Sequence, residues 1–419
     1  MRLRREPYAR SVPTTLRLRP SSMAEGGSAL ARDDDGRVVF VDGALPDELV
    51  EAEVFDEHTD YARAVVVQVI EPAEGRVAPP CPYVGAGCGG CGWQHVAPQV
   101  QVALKRDIVL DALRRIGRLT SADVAAGQPL PSTGYRTTVR MGVRDGRAAF
   151  HGHRSHDLVP IDECLVAHPL LHDLIGSGRY EGATDVTLRC GSATGERLVL
   201  ASPHAHGVEV PDDVVVIGAN EVKRGRTARI HEVVGGRRFL ISATSFFQAR
   251  TDGAEALVDA VRQEFVHDDE AGTFVDAYCG VGLFAGLLGA GRKIVAVERH
   301  GPAVRDARDN LGRDAQVVRA EITAWDPVPA RVVVADPARP GLGGKAAARL
   351  AATGATRLVL VSCDPASLAR DVGILTGLGF VHRRSTLVDL FPHTPHVEVV
   401  TRFDRVALSN WPAGDVSRS

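Results

Sequence analysis

From about Phe239 onward the chain alternates short apolar runs with stretches of helical character. Thr273 to Ala277, Lys293 to Glu298, Gln316 to Ala320, Arg331 to Asp336 and Arg357 to Ser362 read as strands. Strands that recur with a helix between them pair in parallel, because each crossover needs a dozen or more residues. One parallel sheet with helices on its faces is therefore expected here. In such sheets ligands gather beyond the carboxyl ends of the strands. Those ends carry chemistry in this chain. Tyr278-Cys279-Gly280-Val281-Gly282 follows the first run, and Glu298 closes the second. Asp336-Pro337-Ala338-Arg339-Pro340-Gly341 closes the fourth, and Ser362-Cys363-Asp364-Pro365 closes the fifth.

A strand, then Gly280-Val281-Gly282, then a helix, then a strand ending in an acid is the logic of a Rossmann-like nucleotide site. The glycines let backbone approach the ligand, and Glu298 accepts the ribose hydroxyls. The third glycine of the dinucleotide fingerprint is missing, since Ala285 and Gly286 follow at other spacing. S-adenosylmethionine is preferred over NAD on that ground. Ala338 and Arg339 stand where enzymes that methylate amino groups of adenine carry a second proline and an aromatic, which argues against an exocyclic amine as target. A cysteine at a strand end could attack a planar, electron-poor ring, and Cys363 is placed to do so. The bland alternative for Cys363 is a small buried hydrophobe. Cytosine methylation is a further reading, but the Asp336 loop carries no cysteine.

The rest of the chain divides by pattern. Residues 1–72 are read as an OB-like, five-stranded β-barrel, built from runs such as Val38 to Val41 and Ala64 to Ile70 with glycine turns between them. Residues 73–238 form a central, mostly β domain containing one helix, Pro98 to Ile116, whose Leu104, Ile108, Val109, Ala112 and Leu113 recur at helical spacing. Residues 239–419 are the Rossmann-like part. The overall class is α/β. The net charge of -3 gives no global sign of a nucleic-acid partner. Local basic runs do: Arg2, Arg4, Arg5, Arg10, Arg17 and Arg19; Arg136, Arg140, Arg144, Arg147 and Arg154; and Lys223, Arg224, Arg226, Arg229, Arg237 and Arg238. A solvated face explains each run equally well. The charged amino end, the glycine-rich longest apolar stretch and seven cysteines without a disulfide framework lead to the expectation of a cytoplasmic protein with no membrane span. Cys81, Cys88 and Cys91 fall in one short loop and Cys164 stands apart. Four such thiolates can hold a [4Fe–4S] cluster or zinc.

Taken in order along nearly the whole chain, these segments resemble the S-adenosylmethionine-dependent RNA 5-methyluridine methyltransferases that act on rRNA and tRNA. The similar motifs are Cys81 to His95 (CPYVGAGCGGCGWQH), Ser245-Phe246-Phe247-Gln248, the Tyr278 glycine loop, Asp336 to Gly341, Ser362 to Pro365, and Phe391 to Glu398 (FPHTPHVE). The resemblance implies that the amino-terminal barrel is a TRAM domain and that the Pro98 to Ile116 helix packs on the catalytic domain. It implies that Gln248, Tyr278, Glu298, Glu321 and Asp336 hold S-adenosylmethionine, that Cys363 is the nucleophile and that Glu398 is the base. It favours iron–sulfur over zinc at Cys81, Cys88, Cys91 and Cys164. Three departures stand out. Leu283 replaces a frequent asparagine, Glu321 stands where an amide or acid faces the adenine, and Cys81 and Cys88 lie one residue further apart than is usual.

The implied reaction suits the residues. Uracil carbon 5 is a poor nucleophile until a thiolate adds at carbon 6, and a base must later remove the carbon 5 proton. The target uridine would be flipped out of structured RNA, with rRNA expected ahead of tRNA. Phe246 and Phe247 could stack on a base or belong to the core, and Arg370 with Asp371 could form an ion pair that orders the nucleophile loop or be a helix-start pair of no catalytic consequence. A monomer is expected. The competing class is a non-catalytic RNA-binding or RNA-folding protein with a degenerate methyltransferase domain.

Overall fold

The computed structural model describes residues 14–265 and 272–406. Arg2, Arg4, Arg5 and Arg10 of the basic amino end lie outside the described residues. In the carboxyl half the apolar alternation is buried on both faces, as a parallel sheet demands. We label the strands of its eight-stranded sheet in chain order: β1 (Val124–Ala126), β2 (Thr273–Ala277), β3 (Lys293–Glu298), β4 (Ala315–Arg319), β5 (Val332–Ala335), β6 (Arg357–Ser362), β7 (Phe380–Leu387) and β8 (Val399–Arg405). The spatial order is β4-β3-β2-β5-β6-β8-β7-β1. Strands β4 to β6 run parallel, and β8 is antiparallel to both β6 and β7. Val275, Ala277, Val333, Ala335, Leu358 and Leu360 face one apolar layer. Their neighbours Phe274, Val332, Val334, Val359 and Val361 face the other. The chain order reverses between β2 and β5, so the crevice at that switch point lies between the glycine loop and Asp336.

The expected boundary at Phe239 falls within the second strand of a hairpin, Arg229–Val234 with Arg237–Ser242. Val234, Phe239 and Ile241 of that hairpin pack with helix Thr251–Gln263 against the sheet. Covalent order and packing part company there. Strand β1, from the middle of the chain, likewise extends the catalytic sheet beside β7.

The amino-terminal sheet has six strands rather than five: Thr15–Leu18, Ser22–Met23, Ala29–Arg32, Val38–Asp42, Leu49–Glu57 and Tyr61–Glu71. Pro20 sits between the first two and has no N–H for a ladder, which separates them. The central six-stranded sheet, Thr138–Arg144 among its members, buries Val139, Met141, Val186 and Leu188. Much of the basic character of the middle of the chain is internally neutralised. Arg147 pairs with Asp162, Arg154 with Asp42, Arg226 with Glu221 and Arg238 with Glu196.

Helix α1 (Pro98–Arg115) joins the parts. Its Ile108 enters the barrel core beside Trp93 and Val96. Val109, Ala112 and Leu113 enter the catalytic core. Lys105, fully buried, donates to Asp389 Oδ1 at 2.6 Å and to the Phe391 carbonyl at 2.9 Å. Gln101 accepts from the His393 N–H at 2.6 Å. Breaking a buried pair by removing one partner strands the other charge. Asp389→Ala should therefore lower stability by about 3 kcal/mol, read as a fall in the urea midpoint, whereas Arg115→Ala on the exposed face of α1 should change it by less than about 0.5 kcal/mol.

Candidate active site

The site is assembled by strand register. Ser362, the last residue of β6, pairs with Val399, the first of β8. The next residue, Cys363, therefore lies opposite the preceding one, Glu398, about 5 Å apart by backbone. Asp336 follows β5, the neighbour of β6 on its other side. The three groups act on one another electrostatically. Burial, then Glu398, then Asp336 push the Cys363 thiol up to about 11. Burial and then Asp336 hold Glu398 well above the ordinary carboxylate range, and burial raises Asp336 too. All three therefore favour their protonated forms while only their own acids surround them.

Cys363 opens onto a cavity of about 220 Å³ lined also by Glu25, Arg339, Asp364, Pro395 and His396. Helix α2 (Pro365–Gly377) starts at Asp364, whose side chain accepts from Ser367 N–H at 2.8 Å as an N-cap. The Asp364-Pro365 step is a sequence signal for that cap. Arg339 Nε donates to Asp364 at 3.3 Å. Asp371 makes no bond to Arg370. It accepts from the N–H groups of Leu342 at 2.7 Å and Gly343 at 3.0 Å, while Arg370 donates to Ser367. The expected Arg370–Asp371 ion pair is thus not made, and Asp371 instead pins the loop after β5.

The switch-point crevice has the features of a cofactor cradle. Tyr278 adopts φ 63°, a costly conformation for a non-glycine residue. Gly280, at φ 54°, has open space where a Cβ would project. Glu298 is fixed by two backbone donors, Gly280 at 3.1 Å and His300 at 2.7 Å. Asp276 is fully buried in β2, and one of its oxygens accepts from Ala285 at 2.8 Å. The other, Oδ1, has no partner among the described residues, and burial lifts the group to about 8. An unpartnered buried oxygen, an open glycine loop and an acidic surround fit a cationic adenosyl sulfonium. Tyr278 is raised to about 12 by burial, then by Asp371 and Glu321, so Glu321 lies near it. The Glu321 carboxylate itself is exposed and paired with Arg299 at 3.0 Å. Gln248 is buried. Its neighbours divide, with Phe247 in the core and Phe246 69% exposed. Leu283 begins helix Leu283–Leu288 and packs inward. Sequence reading passed over Asp276 and Asp364 as participants, and Glu25 gave no local signal at all.

Cys81, Cys88, Cys91 and Cys164 surround one small chamber of about 20 Å³ together with Tyr83, Gln94 and Arg136. Burial raises Cys91 to about 11, and Cys164 and Cys88 add to it. Among the described residues no group of three or more His, Cys, Asp or Glu is arranged to hold a single metal ion. Cys190 is a core residue, and no described helix is long and apolar enough to cross a membrane.

Comparison with known proteins follows the same outline. Residues 19–67 match the TRAM domain. A Streptomyces avermitilis protein described as an uncharacterized RNA methyltransferase is 35% identical over 92% of this chain and 97% of its own length. A counterpart from Streptomyces coelicolor is 36% identical over 92% of each. The crystal structure of Pyrococcus abyssi tRNA (uracil-54, C5)-methyltransferase with S-adenosyl-L-homocysteine shares the fold, at TM-score 0.71 and 22% identity, over 93% of this chain and 100% of that one.

The acid-rich surround of Cys363 has a measurable consequence. Its raised thiol pKa means that little thiolate exists at neutral pH, so iodoacetamide should label Cys363 slowly at pH 7. The rate should still be climbing past pH 9, the ordinary thiol value, toward about 11. Peptide mapping by mass spectrometry, with Cys363→Ser as blank, reads this; a midpoint at or below pH 9 contradicts the assigned surroundings.

Proposed function

The chain belongs to the RNA methyltransferase family, and on that footing we propose that it methylates carbon 5 of a uridine in structured RNA, using S-adenosylmethionine. The observation that carries the reading is the β6–β8 register, which brings Glu398 beside Cys363 at the carboxyl end of β6, where Cys363 lines a cavity. Gln248, Tyr278, Glu298, Glu321 and Asp336 would hold the cofactor, with Glu298 toward the ribose. When bound, S-adenosylmethionine supplies an electrophilic methyl group for carbon 5, departs as a neutral thioether, and brings positive charge into the acidic crevice. Neutralising that field draws Cys363 and Glu398 back toward their anions. Cys363 Sγ then adds to carbon 6, pushing the ring electrons toward carbon 5. After methylation the Glu398 carboxylate removes the carbon 5 proton, and the returning electron pair expels Cys363 as thiolate. Exposed Phe246 is available to stack on an unpaired base.

We assign Cys81, Cys88, Cys91 and Cys164 to a [4Fe–4S] cluster. The four thiols line one chamber, and the likeness of Cys81 to His95 to the iron–sulfur segment of the 5-methyluridine methyltransferases supports this assignment over zinc. The cluster's role would be to tie the Cys81 loop to the central sheet. Methyl transfer from a sulfonium needs no electron from it.

Three outcomes test these assignments. Cys363→Ala should abolish methyl transfer and also covalent trapping of 5-fluorouridine-containing RNA, while equilibrium binding of S-adenosylmethionine persists. Glu398→Gln should lower turnover by about 10³-fold, the scale of a lost general base, and accumulate the RNA adduct on denaturing gels. Retained turnover in either variant refutes its role, and mapping of 5-methyluridine in rRNA and tRNA from cells lacking the gene identifies the target. Anaerobic purification should give a brown protein with iron and acid-labile sulfide, both lost in Cys88→Ser; a colourless, zinc-loaded protein overturns the cluster assignment.

A further inference from the structure

One wall of the cavity beside Cys363 comes from the other end of the chain. The turn between strands Ser22–Met23 and Ala29–Arg32 places Glu25 and Gly26 on the cavity lining. The turn is closed by Ala24 N–H to Ser28 O at 2.8 Å and Gly27 N–H to Ala24 O at 3.1 Å. It is also wedged in place. A Cβ at Gly27, whose φ is +94°, would lie 2.8 Å from Pro395 and from Trp93 Nε1. Trp93 Nε1 donates to the Gly27 carbonyl at 3.0 Å, and Trp93 N–H donates to the His393 carbonyl at 2.9 Å. The barrel turn and the segment leading to Glu398 are thus both held by Trp93, the turn through its indole and the segment through its backbone N–H. Only a glycine fits this approach, so the contact is a close, specific docking rather than a loose neighbour.

We propose that Glu25, supplied by the barrel, is a positioning residue of the transfer reaction: its carboxyl group hydrogen-bonds Asp364 and fixes the Asp364–Arg339 pair at the rim of the nucleophile's cavity. This rests on the uridine-methylation reading. The groups facing Glu25 are Asp364, Arg339 and Arg370, with Cys363 and His396 on the same cavity. Two carboxyl groups that hydrogen-bond share one proton. Burial and Asp364 raise the proton affinity of Glu25, against the pull of Arg339 and Arg370. Asp364 is drawn the other way despite its burial, by Ser367, Glu25 and Arg339. Of the two, Glu25 is therefore the one drawn toward its protonated form, in which it donates to Asp364. Asp364, adjacent in sequence to Cys363, then has its charge directed at three donors. Arg339 is tethered by one nitrogen while its side chain stays 67% exposed, open to a phosphate of the incoming RNA. The barrel thereby becomes part of the active site: without its turn, Asp364 loses a donor and the cavity loses a wall.

The test uses the full-length protein with its cluster intact. Glu25→Ala should lower kcat for RNA methylation about tenfold, the scale of one lost hydrogen bond to a charged group, with the KM for RNA within about twofold. Glu25→Gln should recover kcat to within about twofold, because the amide still donates to Asp364. The glutamine also cannot ionise. The ratio of Glu25→Gln to wild-type kcat should thus rise with pH as wild-type Glu25 loses its proton. Wild-type kcat and KM in Glu25→Ala, Glu25→Gln as slow as Glu25→Ala, or a flat ratio against pH each overturn the proposal. Iodoacetamide labelling of Cys363 without RNA gives a readout independent of methylation. It should be severalfold faster in Glu25→Ala, where the wall is missing, and like wild type in Glu25→Gln. If the wild-type protein methylates no uridine, the labelling series alone still decides whether Glu25 guards the cavity, so the two readings fail separately.

Discussion

The pairing of β6 with β8 is the constraint on which the rest of the site depends. A purely parallel sheet would present only strand ends that follow one another in the usual crossover order. An antiparallel strand laid against β6 brings a carboxylate from late in the chain to the residue beside Cys363. A slip of one position would send every side chain of β8 to the other face of the sheet. That slip is opposed by Val399 and Phe403 in one apolar layer and Val400 in the other. The core therefore fixes the distance between the two groups, and no contact between those groups is asked to do so.

That arrangement concentrates acid. Asp276, Asp336 and Glu398 are each pushed toward their neutral forms, and Cys363 is kept protonated by the same field. Such a crevice is electrostatically unsatisfied on its own account, and a cation placed in it is stabilised by every one of these groups. Raised proton affinity also suits a group that must take a proton from carbon. On the proposed reading, activation of the thiol and recruitment of a sulfonium are two aspects of one charge distribution.

Rigidity of the segment before Glu398 comes from outside the catalytic sheet. Lys105 and Gln101 of α1 hold Asp389, Phe391 and His393, and Trp93 holds both His393 and the barrel turn. The charge on Lys105 is buried where burial alone would disfavour it, and Asp389 offsets that cost. A single helix thus transmits the position of the amino-terminal barrel to the segment before Glu398, the base of the proposed reaction.

Periodicity alone located β2, β3 and β6 to the residue and α1 to within one, because long apolar runs flanked by glycine and proline admit few alternatives. Cys363 and the Cys81, Cys88 and Cys91 loop stand out as candidates because thiols at strand ends and in glycine-rich loops are chemically conspicuous, whereas Glu398 is singled out only by the family resemblance. What no stretch of sequence could state was proximity between distant segments. Glu25 and Asp364 lie far apart along the chain, Phe246 and Phe247 are adjacent yet one is exposed and one is core, and a sixth strand arose where the chain changes pairing partner around Pro20. The chain by itself determined which local elements form and which side chains can do chemistry, because both follow from short-range sterics and functional groups. Only tertiary packing decided which of those groups meet, because register, burial and the field at each carboxyl group are set by neighbours that the sequence places anywhere along its length.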